Sequence, residues 1–276
     1  MAITAADVNK LRQQTGSGMM DCKNALVEAD GDFEAAIDLL RKKGQKIAAK
    51  RGENEAKEGV IIAQASEDGK TGVVLTLNCE TDFVAKNDAF RGFVQSLVDI
   101  ASKNMPASID ELKALPFDDK LSVDEKITYQ IGMVGEKLDL SNFATMSADK
   151  VVAYNHPGNQ LATLVALNSG SDAAEDAGKQ VAMQVAVMNP IALDKNGVDA
   201  RTIEREIEIG KELAIQEGKP AEMADKISLG RLNKFFQDNT LLSQQFVRDN
   251  KVTVEQFLGS TEKGLTVTGF KRFSLS

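Results

Sequence analysis

Leu77-Asn78-Cys79-Glu80-Thr81-Asp82 returns 90 residues later as Leu167-Asn168-Ser169-Gly170-Ser171-Asp172. In both copies an apolar run closes on Asn, and a Thr-Asp or Ser-Asp pair then opens a stretch of helical spacing. Upstream of the first copy, Gly59-Val60-Ile61-Ile62-Ala63-Gln64-Ala65 and Val73-Val74-Leu75-Thr76-Leu77-Asn78-Cys79 flank the turn Glu67–Gly72, which predicts a β-hairpin. Upstream of the second, Val151–Tyr154 and Gln160–Asn168 predict another. Downstream, Phe90, Phe93, Val94, Leu97, Val98 and Ala101 mark the inner face of a helix over about 83–103, and Asp172 opens one to about Met188. An internal repeat of this kind implies two related hairpin-plus-helix subdomains, and hence an α+β fold.

The flanking segments have different periods. Residues 1–44 read as three short helices: Thr4 is a candidate cap, Gly16-Ser17-Gly18 a break, Asp32 a second cap, and Phe33, Ala36, Ile37 and Leu40 an apolar stripe that Gly44 ends. A unit this small has a marginal core. Residues 45–58 are charged and read as a partly helical linker. Residues 59–150 form the first core subdomain, with short helices over 104–150 punctuated by Pro106 and Pro116; 151–198 and 236–276 form the second. Between the last two, residues 199–235 read as an inserted antiparallel helical hairpin turning at Gly218-Lys219-Pro220, a candidate surface for self-association. The strand Leu265–Phe273 is expected to join the second subdomain's sheet, with Gly269 marking a bulge.

Composition narrows the function. The chain of 276 residues is 42 % hydrophobic and 27 % charged, with 33 Lys and Arg against 41 Asp and Glu, for a net charge of −8. That balance argues against a direct nucleic-acid footprint, which needs clustered positive charge. No apolar run approaches the roughly 18 residues of a membrane span, and Met1–Asp7 lacks the basic and apolar regions of a signal peptide. A cytoplasmic protein is expected. Cys22 and Cys79 are isolated and read as buried thiols. One histidine, His156, and two scattered cysteines cannot supply a common zinc site, so no metal or cofactor is expected. Gly69-Lys70-Thr71 is a hairpin turn rather than a phosphate loop, because Gln64 stands where that motif needs its first Gly. These features favour a binding protein over an enzyme.

Thr81-Asp82-Phe83-Val84-Ala85-Lys86-Asn87 admits two readings. As a capped helix start, Asp82 accepts from backbone N–H groups and Phe83 is the first rung of the core stripe 83, 90, 94, 97, 101. Against that, the sibling copy has Ala173 at the place of Phe83 and needs no aromatic there, which makes Phe83 a specific addition.

Five motifs carry a resemblance. They are Leu11-Arg12-x-x-Thr15-Gly16-x-Gly18-Met19-Met20-Asp21-Cys22-Lys23 with Ala29-Asp30-Gly31-Asp32, then Gly59-Val60-Ile61, Asn78 through Asn87, and Gly269-Phe270-x-Arg272-Phe273. Together they resemble the bacterial-type translation elongation factor Ts family over essentially the whole chain. The resemblance implies a guanine nucleotide exchange factor for elongation factor Tu, with a ubiquitin-associated-like N-terminal domain, a two-subdomain core and a protruding hairpin. It implies that Thr81, Asp82, Phe83 and Val84 intrude beside the partner's nucleotide site and disturb its Mg²⁺, and that Arg12, Met19 and Met20 contact the partner. Ile131, Gly132 and His156 are weaker matches to further contacts. A chaperone-like or structural partner of the nascent-chain machinery is the alternative from a different class.

Overall fold

The computed structural model describes residues 3–275; of the N-terminal stretch read above, Met1 and Ala2 lie outside the described residues. Three helices come first: α1 (Ala5–Thr15), α2 (Met19–Glu28) and α3 (Phe33–Arg51). Thr4 caps α1 in a full capping box with Asp7, and Asp32 caps α3 by accepting from the Ala35 N–H. Gly16 ends α1 at a φ of 71°, a left-handed conformation that suits glycine.

Gly44, expected to end the third helix, lies inside it, and the helix runs on through residues 45–51 of the segment read as a partly helical linker. The cause is a contact at long range. A Cβ on Gly44 would stand 2.7 Å from the Thr128 carbonyl oxygen, and one on Gly132 would stand 2.8 Å from the Gly44 Cα. Gly44 is therefore where α3 crosses another helix at close approach, and Ile47 and Ala48 beyond it pack on the first subdomain's core.

That subdomain contains β1 (Glu58–Ala65), β2 (Thr71–Cys79), α4 (Asp82–Ala85), α5 (Asp88–Asn104), α6 (Ile109–Ala114), α7 (Val123–Val134) and β3 (Asp139–Ser147). The expected helix over 83–103 is two helices. Asn87 interrupts it, its side chain capping α5 by accepting from Ala89 N at 2.8 Å and Phe90 N at 3.4 Å. The 104–150 segment holds a strand as well as helices: β3 pairs antiparallel with β2.

The second subdomain repeats the plan with β4 (Lys150–Asn155), β5 (Leu161–Leu167) and α8 (Asp172–Met188). The hairpin follows as α9 (Ala200–Gln216) and α10 (Ala221–Asn239). Gly210 lets the two arms meet, since its Cβ would lie 3.1 Å from the Ser228 Cα. The chain then forms the short hairpin β6 (Gln245–Phe246) and β7 (Asp249–Thr253), α11 (Val254–Thr261) and β8 (Val267–Ser274). As expected, β8 joins the second sheet.

The sheets have orders β1-β2-β3 and β4-β5-β8. In each, the middle strand's pairing with the third strand slips at one place, between Thr76 and Leu77 and between Ala166 and Leu167. These bulges are again 90 residues apart, so the repeat extends beyond its lettered signature to the third strand. The sheets face each other through Ile61, Ala63, Val74, Val151, Ala162 and Leu164. Their outer faces carry α5 with α7, and α8 with α11. Burial on both faces explains why β1, β2 and β5 read as unbroken apolar runs. Asn155 seals the β1 edge, accepting from the Ala63 N–H and donating to its carbonyl, both at 2.8 Å.

Candidate functional site

The strand β2 delivers the chain to residues 80–85, and local chemistry decides what projects there. Thr81, not Asp82, is the N-cap of α4: its hydroxyl accepts from the Val84 N–H, as the Ser171 hydroxyl accepts from the Ala174 N–H in the sibling. Asp82 stands one residue inside, on the first turn, where a carboxylate suits the helix dipole. Its Oδ2 receives the Lys86 ammonium at 2.6 Å, and that bond holds its carboxyl below the usual range.

With α4 only four residues long, Phe83 leaves the stripe that continues on α5. It is 84 % exposed, while Phe90, Phe93, Val94, Leu97, Val98 and Ala101 are buried. Ala173, its counterpart, is exposed too, so one surface position carries a large aromatic in one repeat and a methyl in the other. The core reading of Phe83 fails because Asn87 resets the helix. Val84 packs partly against the first subdomain's core and anchors the turn.

Two carboxylates that sequence reasoning did not single out hold this turn. Glu136, between α7 and β3, accepts from Glu80 N at 3.1 Å, Thr81 N at 3.0 Å and Thr81 Oγ1 at 2.7 Å. Glu80 accepts from Lys137 N at 2.6 Å, Arg51 Nη1 at 2.8 Å and Asn54 Nδ2 at 3.0 Å. These bonds leave the Glu80 carboxyl below its usual range despite its partial burial. The Cys79 thiol donates to the Thr81 carbonyl at 3.2 Å, and burial, with the Glu136 charge next, pushes it up to about 12. A Gly-Glu-Lys following a helix was the only signal for Glu136. Its partner lies 55 residues away, which spacing cannot report.

The remaining sequence-derived residues fall in three places. Arg12, Met19 and Met20 are all exposed on the helical bundle, with the methionines 57 % and 63 % exposed at the start of α2. Ile131 is buried in the first core, and Gly132 lies against Gly44, so this pair sits at the α3–α7 crossing and the next turn, Val134 to Lys137, is what meets residues 80–81. His156 is exposed in the β4–β5 turn, its Nδ1 3.0 Å from the Tyr154 hydroxyl. The helix α7 joins bundle and turn. Tyr129 and Met133 complete the bundle's own core, and the Tyr129 hydroxyl lies 3.0 Å from Ser17 Oγ.

Among the described residues, no group of three or more His, Cys, Asp or Glu could hold a metal ion. Nor is any helix long and apolar enough to cross a membrane. The arrangement offers an exposed aromatic on a fixed turn and a second exposed apolar patch, which is the chemistry of protein docking.

The sequence profile described as Elongation factor TS matches residues 80–276. An Elongation factor Ts of Cytophaga hutchinsonii is 51 % identical over 275 residues, covering 99 % of both chains. One of Amoebophilus asiaticus is 53 % identical over 274 residues, covering 99 % of this chain and 98 % of the relative. One of Christiangramia forsetii is 50 % identical over 274 residues with the same coverage.

Proposed function

The chain belongs to the elongation factor Ts family, and from that premise we propose that it binds elongation factor Tu in its GDP-bound form and promotes exchange of GDP for GTP during translation elongation. The observation that carries this reading is the 84 % exposure of Phe83 on a turn capped by Thr81. In this account Phe83, with Thr81, Asp82 and Val84 behind it, enters beside the partner's nucleotide site and disturbs Mg²⁺ and nucleotide binding there. Arg12, Met19 and Met20 anchor the partner through a separate surface, methionine suiting an adaptable contact. Ile131 and Gly132 then act from inside, by fixing the α3–α7 crossing, and His156 contributes from the β4–β5 turn. A second copy would find exposed Leu213, Ile215, Met223 and Leu229 on the helical hairpin.

The magnitudes are adequate. A thousandfold weakening of nucleotide needs about 4 kcal/mol. Burying a Phe removes about 150–250 Å² from water, or some 4–6 kcal/mol at roughly 25 cal/mol per Å², before association costs. Reciprocity follows: if this protein weakens GDP binding, GDP weakens this protein's binding by the same factor. No bond is made or broken, so the protein acts as a binding catalyst of exchange and not as an enzyme.

The test is release of fluorescent GDP from elongation factor Tu in a stopped-flow instrument. Substoichiometric protein should accelerate release and turn over. Binding to elongation factor Tu or to nascent chains without acceleration would support the chaperone-like alternative instead.

A further inference from the structure

We propose that Glu136 and Glu80 are positioning residues whose carboxylates form a reciprocal clasp, setting the direction in which Phe83 projects and tying it to the C-terminal end of α3. The inference rests on the reading of Phe83 as the group that acts on elongation factor Tu.

Each carboxylate bonds the backbone beside the other. Glu136 accepts from Glu80 N and Thr81 N, and Glu80 accepts from Lys137 N. Hydrogen bonds to an ionised acceptor are the stronger kind. Because Glu136 also accepts a hydrogen bond from the Thr81 hydroxyl, the oxygen that caps α4 is aimed at the Val84 N–H. A helix of four residues cannot hold its own geometry, so the direction of Phe83 depends on what holds Thr81. Beyond Glu80, Arg51 and Asn54 carry the connection to the end of α3, and the Lys137 ammonium donates to the carbonyls of Gly52 and Asn54 at 2.8 and 3.0 Å. The docked bundle and the aromatic are thus joined by one polar network.

The sibling repeat supplies the internal comparison. There the Ser171 hydroxyl donates to Glu262 at 2.5 Å, with Glu262 placed between α11 and β8 as Glu136 is between α7 and β3. The Ser171 N–H donates to Ser169 Oγ rather than to Glu262, and the counterpart of Glu80 is Gly170, so the hydroxyl bond is what the sibling keeps of the clasp. That copy opens a 17-residue helix and presents Ala173. The complete clasp occurs in the copy that presents the aromatic.

The experiment uses the full chain as parent, Glu136→Gln, Phe83→Ala, the double variant, and Glu262→Gln as control. Hydrogen exchange of the free protein reads the clasp, and stopped-flow GDP release from elongation factor Tu, with its half-saturating concentration, reads the consequence. An amide keeps the volume of Glu136 but loses the charge and replaces one of its two acceptor oxygens with a donor NH2, so the clasp cannot keep all three bonds. The Glu80 and Thr81 amides should exchange about tenfold faster and saturating release should slow about tenfold, with half-saturation little changed. In the Phe83→Ala background the same substitution should slow release less than about twofold, because the two act as one unit. Glu262→Gln should release GDP like the parent.

Unchanged protection at Glu80 and Thr81 would overturn the clasp. Equal slowing with and without Phe83 would assign Glu136 a role independent of the aromatic, and also overturn it. Phe83→Ala releasing GDP like the parent would instead overturn the functional reading and the clasp's purpose with it. If Glu136→Gln does not fold, Arg51→Ala opens the Glu80 half from the surface and carries the same expectations at about threefold.

Discussion

Thr81 and Asp82 are adjacent, both can cap a helix, and their spacing to the apolar stripe does not separate them. The structure gives the cap to Thr81 and leaves Asp82 in an exposed pair with Lys86. Thr81→Ala is therefore expected to cost about 0.5–2 kcal/mol, the range of a lost N-cap. Asp82→Ala should cost less, since an exposed ion pair contributes little to stability. Chemical denaturation of the two variants side by side checks the order, and a larger loss for Asp82→Ala would reverse the assignment. The thiol of Cys79 belongs to the same few residues. Buried and pushed up to about 12, it should resist thiol reagents at pH 8 in the native protein and react at the ordinary rate once unfolded.

Among the elements, strands buried on both faces were legible and the largely unburied β3 was not. The runs 59–65, 73–79 and 160–168 carry apolar residues on both faces because a sheet lies on one side and a helix on the other. In contrast β3 reads Asp139-Leu140-Ser141-Asn142-Phe143-Ala144-Thr145-Met146-Ser147, with Leu140 alone buried and polar residues that suit its exposure and erase the alternation. The repeat was legible at its strand ends, where both copies need the same turn. Glu136 escaped notice because its function depends on a partner brought near only by the fold. Gly44 was misread for a related reason: a helical glycine looks like a terminus unless its distant neighbour, here Gly132, is known.

That crossing yields a prediction for the element scale. Gly44→Ala places a methyl 2.7 Å from the Thr128 carbonyl oxygen, closer than packing allows, and should destabilise by about 1–3 kcal/mol. Gly92→Ala, at an exposed place on α5 with nothing within 4 Å, should stabilise by about 0.5–1 kcal/mol. Thermal melting of both variants distinguishes a glycine required by contact from one that is not.

At the scale of the whole molecule, the second subdomain is tied together by Glu175 on α8, which receives Lys150 from β4 at 2.6 Å and Lys179 at 3.0 Å. Those two ammonium groups lower the Glu175 carboxyl from an ordinary 4.5 to about 2. A carboxyl lowered in the folded state adds stability that is complete above its unfolded value and is lost as pH falls through the folded one. The parent should therefore lose melting temperature between about pH 5 and pH 2, and Glu175→Gln should lose less over the same window while melting lower than the parent at pH 7. Parallel pH profiles would refute this assignment. Because Val151 N, beside Lys150, also donates to the Gly69 carbonyl of the β1–β2 turn at 2.6 Å, the pair sits where the two halves of the core meet.

On the proposed function, the capped turn and the clasp behind it present one aromatic, Phe83, to elongation factor Tu. The most direct measurement is the saturating rate of GDP release from elongation factor Tu driven by Phe83→Ala, taken with its melting temperature. Since Phe83 is 84 % exposed, its removal should leave the melting temperature unchanged while release at saturation slows by about tenfold or more. Release at the parental rate by a fully folded Phe83→Ala protein, or a protein that no longer folds, would contradict the account.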